Sequence, residues 1–272
     1  MQKSDKSFKD KVILITGASS GLGEALAKVF AKEQARLALL ARRADRLQAL
    51  VNDCQQLKAT ALAITCDVTK DEDLPHAVMQ THQQLGPIDV VVANAGFGVV
   101  EYAENLTLDD YKRQFETNVF GVLRTIYATL DDLKKTKGRI VIVGSALGHI
   151  AIPEYTAYTM SKFAVTALAQ TLYQELGRYG ISVTLISPGY VTTEFRNINN
   201  EGVFKENNRE PAPAGLSMPV DKAAKIIFKA IRNRERERIF TLPGRMGVLL
   251  NRLFPSLIPW FYRNQIISRF KK

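Results

Sequence analysis

The sequence predicts an α/β protein with a doubly wound parallel sheet, because two features recur along its first 190 residues. Short apolar runs, at 11–17, 36–41 and 60–68 for example, alternate with amphipathic stretches of helical spacing. Such alternation is typical of βαβ units, in which consecutive strands run parallel. Val, Ile, Leu and Ala follow one another almost without interruption within these runs, which indicates burial on both faces of the sheet. The expected architecture is therefore a three-layer αβα arrangement.

The individual elements follow from these two patterns in chain order. Strands are predicted over 11–17, 36–41, 60–68, 139–146 and 181–189, and a strand followed by a turn over 88–96. Helices are predicted over 21–34, 42–57, a segment starting near 71, 108–136 and 155–180. Ligands of such sheets bind outside the carboxyl ends of the strands, so polar residues at these ends are the candidate site residues.

The domain organisation follows from length and from a break in the pattern. A chain of 272 residues, 46% hydrophobic and 24% charged, suits one large domain or at most two. Between 192 and 218 the alternation stops, and a polar stretch rich in Asn, Pro and Glu is expected to form a substrate loop or lid. We expect one catalytic domain over 1–243 and an extension over 244–272.

Composition disfavours several classes of protein. No run of about 18 apolar residues predicts a transmembrane helix, and the charged first residues lack the apolar core of a secretory signal. Cys54 and Cys66 have no CxxC spacing, and the three histidines lack the spacing of a zinc site. We therefore expect reduced thiols, no metal and a cytoplasmic location.

A glycine-rich turn follows the first predicted strand and opens the first predicted helix. Gly17, Gly21 and Gly23 lie in the stretch TGASSGLG at 16–23. Glycines at these places let the chain turn tightly and bring backbone N–H groups close to a phosphate at the helix N-terminus. The turn indicates a dinucleotide site, and a purely structural βα turn is the alternative.

Two arginines, Arg42 and Arg43, follow the second predicted strand, and no acid lies between 35 and 44. An NAD site usually places an acid here for the ribose hydroxyls, whereas arginine suits the 2′-phosphate of NADP. We predict an NADP(H) site in which Arg42 binds that phosphate, with help from Ser19, Ser20 and Arg43. The alternative is that the two arginines merely begin a solvent-facing helix.

Two further strand ends carry candidate cofactor residues. Asp67 closes the third predicted strand, where its carboxylate could accept a hydrogen bond from the adenine amino group. Asn94, Ala95 and Gly96 form a small-residue turn after the fourth strand, which leaves room for a cofactor. A helix cap or an ordinary turn is the alternative for each.

A tyrosine and a lysine four residues apart, Tyr158 and Lys162, share one face of the helix predicted over 155–180. Ser145 ends a predicted strand, and Asn118 lies within the helix predicted over 108–136. A YxxxK pair alone is common by chance, so this prediction depends on its neighbours. Ser145 would polarise a carbonyl and Tyr158 would transfer a proton. Lys162 would lower the pKa of Tyr158, and Asn118 would connect the lysine to solvent.

Together these residues resemble the short-chain dehydrogenase/reductase family. The matching segments are Thr16 to Gly23, Asp67, Asn94 to Gly96, Asn118, Ser145, Tyr158 with Lys162, and Pro188 to Thr193. They cover about 12–195 in the family's order and spacing. The resemblance implies a Rossmann fold with seven parallel strands and a catalytic tetrad of Asn118, Ser145, Tyr158 and Lys162.

The resemblance also implies further cofactor contacts and an assembly. The cofactor residues expected from it are Leu22, Val68, Pro188, Gly189, Val191 and Thr193, in addition to Tyr158 and Lys162. The two long helices, 108–136 and 155–180, commonly pair with their copies in a partner subunit. We therefore expect a homodimer or homotetramer, and intramolecular packing of these helices is the alternative. The branch most similar to this chain prefers NADP and includes membrane-linked hydroxysteroid, retinol and ketosphingolipid reductases.

The net charge of +10 is concentrated at the end of the chain, where residues 219–272 hold 13 Lys/Arg and only 3 Asp/Glu. Within 244–272, arginines lie between apolar residues that have helical spacing. These apolar residues are Met246, Leu249, Leu250, Leu253 and Phe254. Basic residues beside Trp and Phe on an amphipathic helix suit the surface of an anionic membrane, which would place the protein at the inner face of a membrane. Docking on the substrate cleft or on a partner is the alternative. Nucleic acid is not expected, because no matching motif accompanies the charge.

The sequence therefore predicts an oxidoreductase that interconverts a carbonyl and an alcohol with NADP(H), acting on a lipophilic small molecule. Two other classes remain open, a nucleotide-binding sensor without turnover and a membrane-surface scaffold of the same fold. The complete set of Ser145, Tyr158 and Lys162 argues against a sensor, which has no need of proton transfer.

Overall fold

A central sheet of seven parallel strands confirms the predicted fold class in the computed structural model, which describes residues 7–205 and 217–270. The strand order is β3-β2-β1-β4-β5-β6-β9. The strands are β1 (Val12–Thr16), β2 (Arg36–Ala41), β3 (Thr60–Thr65), β4 (Val90–Ala93), β5 (Arg139–Val143), β6 (Ser182–Pro188) and β9 (Glu237–Phe240). Two short strands, β7 (Val191–Thr192) and β8 (Met218–Pro219), pair with each other separately.

Helices cover both faces of the sheet and make the three layers. Their bounds are α1 (Gly21–Lys32), α2 (Ala44–Gln56), α3 (Asp73–Gln84), α4 (Leu108–Phe115), α5 (Gly121–Thr136), α6 (Thr156–Leu176), α7 (Val220–Arg232), α8 (Leu242–Leu253) and α9 (Leu257–Phe270). One hydrophobic core lies between the sheet and α1, α2 and α7, and the other lies between the sheet and α3, α5 and α6. The strands have buried side chains on both faces, as their apolar composition predicts.

The site is positioned by the reversal of strand order beside β1. Strand β1 pairs with β2 on one side and with β4 on the other, and every pairing in the sheet is parallel. The carboxyl ends of β1 and β4 therefore form a topological switch point, where ligands of open α/β sheets bind. The glycine-rich turn follows β1, and the turn at 94–96 follows β4.

Several element predictions differ from the structure. The helix predicted over 108–136 is divided into α4 and α5 by a wider π-helical turn at Glu116–Phe120. The strand predicted over 60–68 is shorter, because the chain turns away from the sheet at its carboxyl edge after Thr65. Helix α7 and strand β9 lie after the break in the pattern and had no prediction of their own. Strand β9 is an edge strand with two charged residues, so it lacks the apolar run that marks the others.

Some predicted features fall outside the described residues. They include positions 206–216 of the predicted lid, the first six residues, and the last two lysines of the extension. Within 7–205 and 217–270, no helix has both the length and the apolar character needed to cross a membrane.

Candidate active site

The glycine-rich turn after β1 packs tightly against the turn after β4. A Cβ atom added at Gly17 would lie 2.8 Å from the Cα of Ala95, and one added at Gly23 would lie 2.5 Å from the carbonyl oxygen of Gly17. Gly17 also has a φ of +65°, in the left-handed region that glycine tolerates. Asn94 Nδ2 donates to the backbone oxygens of Thr16 and Gly17 at 2.9 and 3.2 Å. The predicted glycines and the 94–96 turn thus form one backbone cradle.

The segment after β6 lies over this cradle. A Cβ atom at Gly21 would be 3.3 Å from Thr193 Cβ, so glycine permits the close approach. Gly189 lies even closer to Thr241, because a Cβ atom there would be 2.2 Å from the threonine hydroxyl. Thr193 therefore borders the cleft at the carboxyl edge of the sheet together with Gly21 and Leu22, the first residues of α1. The cofactor contacts expected of Pro188, Gly189 and Val191 stay predictions.

The two predicted arginines occupy different places. Arg43 Nη2 donates to Ser20 at 2.8 Å and to Ser19 at 3.1 Å, so its guanidinium lies directly over the glycine-rich turn. Arg42 Nη2 instead donates to the backbone oxygen of Gly202 at 2.8 Å. Burial lowers the pKa of Arg43, and the neighbouring Arg46 lowers it further. The structure thus places Arg43 closer than Arg42 to the serines predicted to assist phosphate binding.

Sequence reasoning missed a third arginine and its partner. Arg46 Nη1 lies 2.8 and 2.6 Å from the two carboxylate oxygens of Glu194, and Arg43 Nη1 lies 3.6 Å from one of them. Both guanidinium groups also lie over the ring of Phe204, at 5.8 Å for Arg43 and 5.4 Å for Arg46. The spacing of Arg43 and Arg46, three residues apart at the start of α2, could have identified the pair, because such residues share a helix face.

The adenine-side candidates follow β3. One carboxylate oxygen of Asp67 accepts hydrogen bonds from the backbone and the hydroxyl of Thr69, at 3.0 and 2.8 Å. Val68 is 6% exposed and packs on Gly121 at the start of α5. These contacts fix the turn after β3 at the carboxyl edge of the sheet. The predicted roles of Asp67 and Val68 stay predictions.

The four residues of the predicted tetrad are all buried. Relative exposures are 1% for Asn118, 8% for Ser145, 9% for Tyr158 and 6% for Lys162. The side chains of Ser145 and Tyr158 share a hydrogen bond. Lys162 Nζ lies 5.6 Å from the centroid of the Tyr158 ring and donates to the backbone oxygen of Val143 at 2.9 Å. Strand β5, helix α6 and the π turn thus bring these residues to the sheet edge.

The pKa values of the two central groups are set by burial. Burial raises the pKa of Tyr158 to about 12, although the hydrogen bond from Ser145 lowers it. Burial also lowers the pKa of Lys162 to about 8. We expected Lys162 to hold the tyrosine pKa below its usual range, and this structure shows the opposite. The reason is that removal of the phenolate from water outweighs its stabilisation by the neighbouring groups.

Asn118 lies in the π turn and fixes the chain after β4. Its Nδ2 donates to the backbone oxygen of Phe97 at 3.0 Å and to Ser161 Oγ at 3.2 Å, while its Oδ1 accepts from the backbone N–H of Phe97 at 3.1 Å. Turns of this kind frequently occur at functional sites. The amide therefore links the 94–97 turn to helix α6, and its predicted role in a proton path stays a prediction.

An aromatic wall lies beside Tyr158. The rings of Phe195 and Tyr155 make edge contacts with it, at centroid distances of 5.9 and 6.3 Å. Gly98 leaves room for the rings of Tyr158 and Phe195, since a Cβ atom at this position would lie 3.2 Å from Tyr158 and 3.3 Å from Phe195. Phe195 was not predicted, and the only signal for it is its position two residues after Thr193.

Helix α8 covers the loop after Ser145. Val248 is 2% exposed and packs with Ala146 and Ile150, while Ile152 lies at the edge of this cluster. Asn251 Nδ2 donates to the backbone oxygen of His149 at 2.9 Å. The first part of the predicted extension is thus docked beside the catalytic loop, and no sequence motif marks this position.

The residues present fit a nicotinamide dinucleotide. The backbone cradle at the start of α1 has no room for any side chain at Gly17 or Gly23, which leaves its N–H groups accessible to a phosphate. A carboxylate, that of Glu194, already lies between Arg43 and Arg46, so this place accepts an anion. Ser145, which contacts Tyr158, follows β5, two strands along from β1 at the same carboxyl edge of the sheet.

Comparison with known proteins establishes the family. The profile of the short chain dehydrogenases matches residues 11–203, which is more than half of the chain. This chain therefore belongs to the short-chain dehydrogenase/reductase family of oxidoreductases.

Similar proteins share most of their length with it. An 11-beta-hydroxysteroid dehydrogenase from Pinus massoniana is 30% identical, and the match covers 97% of this chain and 76% of that protein. A dehydrogenase/reductase SDR family protein 7-like from Dictyostelium discoideum is 31% identical over 100% of this chain and 86% of its own length. Among solved structures, the alcohol dehydrogenase of Thermococcus sibiricus, complexed with 5-hydroxy-NADP, is 30% identical with a TM-score of 0.76 and coverages of 85% and 96%.

Proposed function

We propose that this protein is an NADP(H)-dependent oxidoreductase that interconverts a carbonyl and a primary or secondary alcohol on a lipophilic substrate. The observation that carries the proposal is the hydrogen-bonded pair of Ser145 and Tyr158, with Lys162 beside the tyrosine ring, at the end of a phosphate cradle. The hydroxysteroid dehydrogenase from Pinus massoniana and the alcohol dehydrogenase from Thermococcus sibiricus support the reaction class by their names.

The chain's own residues have separate tasks in this reaction. Ser145 donates a hydrogen bond to the substrate oxygen, which polarises the carbonyl and holds it near the tyrosine. Tyr158 gives its proton to the developing alkoxide during reduction and removes it during oxidation. When bound, the nicotinamide group supplies or accepts the hydride.

Lys162 and Asn118 support the proton transfer. The ammonium of Lys162 stabilises the phenolate that forms when Tyr158 gives up its proton, because an opposite charge favours the ionised form. We expect the same ammonium to hold the hydroxyls of the nicotinamide ribose when the cofactor is bound. Asn118 holds the turn that borders this position and connects Lys162 to solvent through its backbone or a water molecule.

Turnover is the direct test of the proposal. NADPH oxidation would be followed by absorbance with a panel of lipophilic ketones and aldehydes, and the reverse reaction with the matching alcohols and NADP⁺. We expect turnover with at least one pair. If NADPH binds tightly and no member of the panel reacts in either direction, the protein is better explained as a nucleotide-binding sensor.

The preference for NADP(H) has its own support and test. Three arginines support it: Arg43 bonds to Ser20 of the glycine-rich turn, while Arg42 and Arg46 contact Gly202 and Phe204 of the segment after β6. We expect NADPH to bind more tightly than NADH in a fluorescence titration, and we expect Arg42→Ala and Arg43→Ala each to reduce the difference. The contacts with Ser19 and Ser20 make Arg43→Ala the more damaging change. Equal binding of both cofactors by the wild type would contradict the assignment.

We also propose that the extension contacts an anionic membrane, from which a lipophilic substrate enters. Helix α8 docks through a face of small and polar residues, including Gly244, Gly247, Val248 and Asn251. The opposite face is apolar and exposed, with Leu249 at 51% and Leu253 at 63%. Helix α9 continues this surface with Leu257, Trp260, Phe261 and Ile267, which are 40% to 62% exposed.

Charge favours lipid over a protein partner for this surface. The chain has no Asp or Glu after Glu237, whereas Arg245, Arg252 and Arg263 lie among the exposed apolar residues. Trp260 is the only tryptophan, so its fluorescence reports on α9 alone. We expect a blue shift with phosphatidylglycerol-containing vesicles and little change with pure phosphatidylcholine. If truncation after residue 243 leaves vesicle binding intact, this proposal is wrong.

A homodimer or homotetramer is proposed from the exposed faces of α5 and α6. Phe120, Tyr127, Met160 and Phe163 are large apolar or aromatic residues with exposures of 43% to 66% on this side of the molecule. Surface of this kind commonly marks a protein contact. Light scattering after size exclusion should give at least twice the monomer mass, and Phe163→Glu should reduce it. A monomer at every concentration would contradict the proposal.

A further inference from the structure

The segment 193–205, here called the cover segment, contacts both ends of the cleft. Thr193 lies on Gly21, and the backbone of Gly202 accepts a hydrogen bond from Arg42. Near its start the segment forms a short 3₁₀ helix, Glu194–Asn197, capped by the hydroxyl of Thr193. Neighbouring residues of this helix reach different places, because Glu194 binds Arg46 whereas Phe195 packs on Tyr158.

Glu194 occupies the place expected for a phosphate. Its carboxylate binds Arg46 through both oxygens and lies within ion-pair distance of Arg43. Arg43 is at the same time bonded to Ser19 and Ser20 of the cradle. A carboxylate in this place neutralises two guanidinium groups that would otherwise repel each other. A phosphate monoester can also bind arginine through two oxygens, and it offers a third acceptor oxygen and more negative charge.

The Glu194 carboxylate and a 2′-phosphate cannot both bind the two arginines without a cost in free energy. A 2′-phosphate that binds Arg43 would lie next to the Glu194 carboxylate, and like charges in close contact disfavour each other. The ion pair with Glu194 is partly exposed, with side-chain exposures of 37% for Arg46 and 36% for Glu194. Its contribution is therefore modest, and a dianion can replace it.

We propose that Glu194 is a latch that the 2′-phosphate of NADP(H) displaces, and that its release moves Phe195 away from Tyr158 and opens the substrate end of the cleft. The inference rests on the proposed NADP(H) function. Glu194 then determines specificity in two ways. It lowers the affinity for NADP(H) by competition, and it makes opening depend on the 2′-phosphate, which NAD(H) lacks.

The moving part is limited by the other contacts of the cover segment. Asn200 exchanges side-chain hydrogen bonds with the backbone of Val100, at 3.0 and 3.3 Å, and its own backbone oxygen accepts from Arg113. At the other end, Thr193 is held against Gly21. The displaced part is therefore the 3₁₀ helix between these two anchors.

Cofactor affinity tests the competition. Glu194→Gln keeps the shape of the side chain and removes its charge, so NADPH should bind roughly fivefold more tightly while NADH changes less than about twofold. Glu201→Gln is the matched control, because it removes the same charge from the same segment. Among the residues that the structure describes, Glu201 forms its hydrogen bonds with Asn199. Weaker NADPH binding by Glu194→Gln, no change, or an equal gain for both cofactors would overturn the proposal.

Hydrogen exchange tests the movement. The probe is 2′,5′-ADP, which carries the 2′-phosphate without the nicotinamide, and 5′-ADP is its control. We expect 2′,5′-ADP to increase amide exchange in 194–198 of the wild type, and we expect Glu194→Gln to exchange fast without it. Protection of 194–198 by 2′,5′-ADP would show that Glu194 closes over the cofactor instead, which overturns the latch.

The two proposals fail in different ways. If the wild type shows no preference for NADPH, both the cofactor assignment and the latch are wrong. If the wild type prefers NADPH and Glu194→Gln behaves like the wild type in both measurements, the latch alone is wrong.

Discussion

The catalytic centre and the C-terminal helices of this protein have opposite burial patterns. In the centre, the polar side chains of Asn118, Ser145, Tyr158 and Lys162 are at most 9% exposed. In α8 and α9, many large apolar side chains are exposed, with values of 37% for Leu250 to 63% for Leu253, and Val248 is the fully buried one among the described residues. Burial of polar groups costs free energy, and exposure of large apolar patches is unusual in a monomer. We interpret the first departure from ordinary packing as the requirement of a reaction, and the second as the basis of the proposed membrane contact.

The largest expected effect belongs to the buried centre. Tyr158→Phe removes the acid–base hydroxyl and keeps the ring that packs on Phe195 and Tyr155, so kcat should fall by about 10³-fold or more while NADPH still binds. The matched control is Tyr155→Phe, which removes a hydroxyl three residues away. We expect it to retain activity within a few-fold. Steady-state kinetics and NADPH titration of both variants make the measurement, and similar losses in the two would contradict the role of Tyr158.

The centre was predictable because its chemistry fixes residue types at fixed places. A phosphate cradle needs glycine where a Cβ atom would collide with backbone, as at Gly17 and Gly23, and this requirement is visible in the sequence. Tyr158 and Lys162 show the helical repeat directly. Parallel strands bring their carboxyl ends to one edge, so Ser145 and the 94–96 turn could be placed beside the tyrosine without coordinates.

Other parts depend on tertiary contacts that leave no local pattern. The ion pair of Arg46 and Glu194 joins residues 148 positions apart, and neither residue type is unusual on a surface. The docked face of α8 consists of small residues, whereas sequence periodicity draws attention to the apolar face that stays exposed. The sequence predicted a lowered pKa for Tyr158, whereas burial raises it. The error arose because the spacing of residues does not reveal the burial of this side chain.

Lys162→Met should reduce turnover less than Tyr158→Phe does, and it should increase the stability of the protein. Turnover should fall by about 10²-fold, since the phenolate loses its cation. The variant should also unfold at a higher temperature. The ammonium has a folded pKa of about 8 against an ordinary value of 10.5, so its burial costs roughly 3 kcal/mol below pH 8. That cost decreases as pH rises from 8 towards 10.5. Thermal unfolding at pH 7 and pH 10 should therefore show the larger gain at pH 7.

The same lysine predicts how cofactor affinity depends on pH. Lys162 is charged below pH 8 and loses its charge above it, so it binds the anionic cofactor less well as pH rises through that value. The Kd of NADPH for the wild type should rise above pH 8. Lys162→Met should bind NADPH more weakly at pH 7 and show a flat profile from pH 7 to 9.5. If the Kd of NADPH for the variant rose with pH as it does for the wild type, the titration would belong to another group.

The smallest effects compare the two faces of α8. Val248→Ala removes the buried contact with Ala146 and Ile150, and it should cost roughly 1–2 kcal/mol in the free energy of unfolding. Leu249→Ala changes the neighbouring residue, which is 51% exposed, and should stay within about 0.5 kcal/mol. Only Val248→Ala should raise the KM of the carbonyl substrate, because α8 holds the loop that follows Ser145. Only Leu249→Ala should weaken vesicle binding. If both variants changed stability equally, the helix would be anchored by its apolar face, and the membrane proposal would lose its basis.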